Sequence, residues 1–166
     1  MQQYQLAQIN VAKMKGIDIN DPVMKEFVDN LDAVNALAEV SEGFVWRLKA
    51  ENNNATGLDP FQDLTIITNV SVWRDIPTLQ AFTYRSFHAE FLKRRREWFL
   101  NYGKVSMAMW WVPAGALTTM EQAIERLDYL TTNGPSFYAF SFKHPFPAPL
   151  YGAEQIVLSS SYPSQC

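Results

Sequence analysis

From Tyr4 to Val11 the chain alternates: Ala7, Ile9 and Val11 fall on one side, Tyr4, Leu6, Gln8 and Asn10 on the other. This predicts a strand with two polar residues, Gln8 and Asn10, on one face. The period then changes. Val23, Phe27, Leu31 and Val34 recur at three- and four-residue spacing, so Asp21-Pro22 opens a helix that runs to about Val40 and ends at Ser41-Glu42-Gly43. Phe44 to Leu48 is a short strand, and the Asn-rich stretch Glu51 to Pro60 is a loop. Leu64 to Trp73 is a β-branched run of the kind buried on both faces. Asp75 caps a short helix through Phe82, and Ser86 caps an amphipathic helix through Phe99. Val105 to Val112 is a strand stopped by Pro113. Thr118-Thr119-Met120-Glu121 reads as a capping box opening a helix with Ala123, Ile124, Leu127 and Leu130, which ends at Asn133-Gly134-Pro135. Phe137 to Phe142 is a last strand before the prolines at 145, 147 and 149.

The order strand, helix, strand, strand, helix pair, strand is the split βαβ pattern of a ferredoxin-like α+β fold with an antiparallel sheet. Several strands are apolar on both faces. Helices cover one face, and the sheet of a second subunit would cover the other, so a homodimer closing into a dimeric α/β barrel is expected. Such a barrel encloses room for a flat apolar ligand. Residues 1–150 form one domain and residues 151–166 a loose C-terminal extension.

Composition narrows the partners. The net charge of −3 over 166 residues gives no basic field toward nucleic acid or anionic membrane. No apolar run approaches the ~18 residues of a membrane span, and no secretory start is visible, so a cytoplasmic protein is expected. Cys166 is the single cysteine and forms no internal disulfide. Gly-rich phosphate loops, nucleophile elbows and metal-ligand spacings are missing, and His144, in a proline-flanked stretch, does not complete a metal set with His88.

The chemistry centres on the segment Ser86 to Phe99. Wound as a helix, it places Phe91, Leu92, Trp98 and Phe99 on one face with His88 and Arg95 among them, while Glu90, Lys93, Arg94 and Glu97 share the other. A cation on an apolar face needs an anion or an acceptor. His88 and Arg95 therefore face either a polar partner within the protein or an anionic ligand in a cavity. Gln8, Asn10, Asn69 and Ser71 are polar positions within strands that bond to one another or to a substrate, and Met107, Met109, Trp110 and Trp111 line either a cavity or a filled core.

The motifs Val72-Trp73, Tyr84-Arg85-Ser86-Phe87-His88, Arg94 to Phe99 and Trp110-Trp111-Val112-Pro113-Ala114-Gly115 resemble a bacterial domain-of-unknown-function family. The family lies in the dimeric α/β-barrel superfamily that includes antibiotic-biosynthesis monooxygenases. The likeness covers roughly Tyr4 to Pro149. More distantly, the chain is similar to spheroidene monooxygenase, a haem-dependent relative that also carries a helix histidine. The resemblance implies a monooxygenase-like oxidoreductase acting on a hydrophobic or aromatic small molecule. If haem b is bound, the resemblance makes His88 the iron ligand, with Arg95 on a propionate and Phe91, Phe99 and Trp110 as walls. His88, Arg95 and Asn10 are then the expected catalytic residues, and Gln8, Asn69, Tyr84, Met109 and Trp111 the substrate pocket. Two alternatives stay open: a cofactor-free binding barrel, and an isomerase or cyclase using His88 as general acid-base.

Overall fold

The computed structural model describes residues 3–49 and 59–149. The expected tail with Cys166, and all but the last two residues of the expected Asn-rich loop, lie outside them. Strand β1 spans Tyr4–Met14. Asp21 then accepts from Val23 N and caps a 3₁₀ turn, Pro22–Met24, that leads into helix α1, Lys25–Val40. Strands β2, Phe44–Arg47, and β3, Ile66–Trp73, precede helix α2, Ile76–Arg85. Helix α3 is short, His88–Arg94, and passes into a 3₁₀ turn at Arg95–Glu97 and a two-residue strand β4, Phe99–Leu100. Strand β5, Met107–Pro113, and helix α4, Met120–Asn133, complete the elements.

The result is a mixed α+β domain with one open antiparallel sheet of five strands, ordered β2-β3-β1, with β4 and β5 both paired to the far side of β1. Three expectations change. The long helix from Ser86 to Phe99 is broken at both ends. Ser86 is extended (ψ 179°), its Oγ accepts from His88 N at 3.1 Å, and the helical turn tightens at Arg95. Phe137 to Phe142 is not a strand. It meets β5 through a single bridge, Met109 to Phe140, with backbone bonds of 2.8 and 2.9 Å, because prolines follow and a turn between Ser136 and Ala139 precedes. The capping box of α4 sits one residue later than expected: Thr119 and Gln122 cap each other.

Register sorts the side chains. Ala7, Ile9 and Val11 with Val70, Val72, Ala108 and Trp110 form one face, and α4 packs on it through Ala123, Leu127 and Leu130. The cover that the sequence reading assigns to a second subunit is thus supplied by the chain's own α4. This amphipathic helix folds back over the sheet after β5. Burying this layer is worth about 25 cal/mol per Å² of apolar surface. On the other face Leu6 lies between Trp73 and Trp111, Gln8 between Ser71 and Met109, and Asn10 between Asn69 and Met107. Helices α1, α2 and α3 stand over this face. Among the described residues no helix is long and apolar enough to cross a membrane.

Candidate functional site

Between that second sheet face and helices α1 to α3 lies a partly open cavity of about 740 Å³, within the range of roughly 300–1,000 Å³ usual for small-molecule sites. Helix α1 presents Phe27, Leu31, Val34 and Ala38 to it, one stripe at helical spacing, with Asn30 and Asn35 beside them. The floor is Gln8, Asn10, Asn69 and Ser71, and the ring walls are Trp73, Phe82, Phe91, Trp98 and Phe99.

The floor is an ordered polar ladder. Gln8 is only 4% exposed. Its Nε2 donates to Asn69 Oδ1 and to Ser71 Oγ, each at 2.8 Å, and Trp73 Nε1 donates to the same hydroxyl at 3.0 Å. Both amide hydrogens of Gln8 are therefore occupied, and Asn69 is held with its Nδ2 as the remaining donor. Asn10, its neighbour across the strand pair, is exposed at the cavity's edge.

His88 opens α3. Its ring lies 4.9 Å from that of Phe82, which in turn stacks on Trp73 at 5.0 Å. Nδ1 is 3.3 Å from the carbonyl oxygen of Thr83. Burial pushes the imidazole below its usual 6.5, and the Thr83 carbonyl offsets this only in part. The ring is neutral at pH 7, its proton sits on Nδ1, and Nε2 has no protein partner among the described residues.

Arg95 lines the cavity as the sequence reading requires, but it is exposed, because the 3₁₀ turn lifts it from the helix into solvent at the cavity's edge. The expected cost of a buried cation is therefore absent. Arg96, next to it in the same turn and also exposed, lines the cavity too. Lys93 and Arg94 point away, paired with Glu90 at 2.8 Å and with Glu97 and Glu26 at 2.7 and 2.8 Å.

Of the other expected residues, Phe91, Phe99, Gln8, Asn69, Tyr84 and Asn10 are brought together here. Three are not. Trp110 lies on the α4 face, with Arg126 5.9 Å over its ring, since it is one residue out of phase with the cavity side. Met109 is fully buried against Phe140, and Trp111 is turned to that segment, its Nε1 donating to Phe146 O at 2.9 Å. The bridge at Phe140 covers both. The sequence reading missed Arg47, Trp73, Thr83 and Lys104. Arg47 is 4% exposed and bonded to Glu39 at 2.9 Å. Alternation in β2 is a usable signal for it. Lys104 lies in the β4–β5 connection and carries no local signal. His144 is exposed on a turn, and among the described residues no three His, Cys, Asp or Glu side chains are grouped to hold a metal.

A domain of unknown function, DUF3291, matches residues 5–155. The chain belongs to the DUF3291 family. No curated protein matches it. Among solved structures, this DUF3291 domain is similar to the NE2512 protein of unknown function from Nitrosomonas europaea (13% identity, 72% of this chain and 97% of that one, TM-score 0.46). It is also similar to PA3566 from Pseudomonas aeruginosa (13% identity, 71% and 99%, TM-score 0.45).

Proposed function

We propose that this DUF3291 domain binds a hydrophobic or aromatic small molecule in the cavity and that His88 takes a proton from it. The pose of His88 carries the reading: a neutral imidazole, fixed in one tautomer by the Thr83 carbonyl, with an unpartnered Nε2 at the wall of a cavity large enough for a ligand. The Gln8–Asn69–Ser71 ladder offers preset polar groups to orient the ligand, and the rings of Trp73, Phe91 and Phe99 take its apolar body. Removal of an acidic proton opens both cofactor-free oxygenation and isomerisation, so the monooxygenase-like reading and the isomerase or cyclase reading share this base. The strand order, with crossovers through α1 and through α2–α3, supports a ferredoxin-like member of the dimeric α/β-barrel superfamily.

Haem b is the second reading, favoured by the same tether. An imidazole that binds a metal commonly donates its other N–H to a carbonyl, and Arg95 and Arg96 suit propionates. His88 would hold the iron, and bound haem would supply oxygen activation.

One experiment separates these readings. The purified protein is screened against aromatic and enolisable metabolites by the fluorescence of Trp73 and Trp98, and binders are assayed for conversion with and without oxygen. His88→Gln is expected to bind the same compound but to convert it about 10²- to 10⁴-fold more slowly. Equal conversion by His88→Gln, or no binder at all, overturns the proposal. A Soret band that hemin develops with wild type and not with His88→Ala moves the assignment to haem.

A further inference from the structure

Charge around the cavity is one-sided. The chain carries 17 Asp and Glu against 14 Lys and Arg, yet among the described residues no carboxylate lines the cavity, whereas Arg47, Arg95, Arg96 and Lys104 all do. Arg47 is balanced by Glu39. The other three have no ion-pair partner among the described residues. Their neighbours do: Lys93 has Glu90, Arg94 has Glu97 and Glu26, and Lys13 has Asp63 at 2.8 Å. Arg95, Arg96 and Lys104 thus line the cavity without a matching acid among the described residues.

The backbone brings these three cations to one end of the site. The 3₁₀ turn of Arg95 and Arg96 is tied to the end of β1, where Lys15 N donates to Trp98 O at 2.8 Å and Lys15 Nζ to Arg96 O at 2.5 Å. The connection holding Lys104 is tied to the same strand: Leu100 pairs with Lys13, and Val11 N donates to Ser106 O at 2.8 Å. The opposite end, around Trp73, Leu79 and Ala38, is apolar and buried. The cavity has a cationic rim and a greasy depth.

We infer that the ligand is an aromatic acid. Its ring lies against the apolar depth, and its carboxylate or equivalent oxyanion is held at the rim by Arg95, Arg96 and Lys104. This rests on the cavity being a ligand site. It adds the charge of the ligand and its direction, head group toward the end of β1. Guanidinium and ammonium groups without carboxylate partners in a partly enclosed site are the usual means of recognising such an anion.

The test uses two probes of one shape, anilinonaphthalene sulfonate and its uncharged parent N-phenylnaphthylamine, titrated against wild type, Arg95→Gln/Lys104→Gln and Lys93→Gln. Arg95 and Lys104 are exposed, so the double variant is expected to keep the wild-type melting temperature and near-ultraviolet dichroism. The sulfonate should bind wild type more tightly than the parent. The double variant should lose about tenfold for the sulfonate, equivalent to about 1.4 kcal/mol, and nothing for the parent. Lys93→Gln, which removes a positive charge that is paired away from the cavity, should lose nothing for either probe. If both probes bind wild type equally, or if the double variant holds the sulfonate as tightly as wild type does, the anionic head group is refuted while the cavity reading stands. If neither probe binds, the cavity reading itself fails.

Discussion

At the scale of single residues, His88 and Gln8 show what was legible. Gln8 is a polar residue on an alternating strand, and the sequence alone marks it as a group that bonds inside. Its partners, Asn69 and Ser71, follow from a register between β1 and β3 that no local pattern reveals. His88 was marked by its position among aromatics, but the carbonyl that fixes its tautomer comes from Thr83, in the preceding helix. Its titration is a direct check. Burial depresses the folded pKa below 6.5, and among the described residues no carboxylate faces the ring from the cavity to oppose that. Between the folded value and 6.5 the unfolded chain therefore binds more protons, so His88 contributes stability above pH 6.5 that is lost as pH falls through this window. The protein has two histidines, so imidazole NMR on wild type and His144→Ala assigns both. A His88 midpoint at or above 6.5 would contradict the buried, neutral pose.

At the scale of elements, long periodic segments were readable and short ones were not. β1, β3, α1 and α4 stand where the alternation and caps place them to within a few residues. The stretch after Ser86 fails because helical periodicity continues through residues whose backbone does not. Ser86 takes His88 N, Arg95 starts a tighter turn, and Phe99–Leu100 are drawn into pairing with Lys13 and Met14. This tertiary pull re-aims Arg95 and Arg96. The isolated bridge at Phe140 likewise hides Met109 and Trp111, which no periodicity could distinguish from cavity walls. The role of α4 as the second cover is testable through Leu127, which is 2% exposed and packs on the sheet. Leu127→Ala is expected to cost about 2–5 kcal/mol in denaturant unfolding. A loss under ~0.5 kcal/mol would mean that α4 does not close that face, and the case for a second subunit there would return.

For the whole molecule, what matters is that an acidic protein lines one opening with three cations and, among the described residues, no carboxylate. The outer side of α4, across the sheet from the cavity, carries Glu121, Glu125 and Asp128, whereas the cavity lining itself holds cations. Composition could not show this, since a net charge of −3 argues only against polyanionic partners. A cationic rim on such a body steers small anions toward the cavity, and steering is screened by salt. The Debye length falls from about 30 Å at ~0.01 M salt to about 3 Å at ~1 M. The association rate of anilinonaphthalene sulfonate, followed by stopped-flow fluorescence, is therefore expected to fall severalfold across that range. The rate for N-phenylnaphthylamine, which no field draws, should stay level. Because the rim is exposed while the apolar depth is buried, salt should act on association far more than on dissociation. If both probes slow together, salt is acting on the protein's opening or on probe solubility, and the rim plays no part in capture.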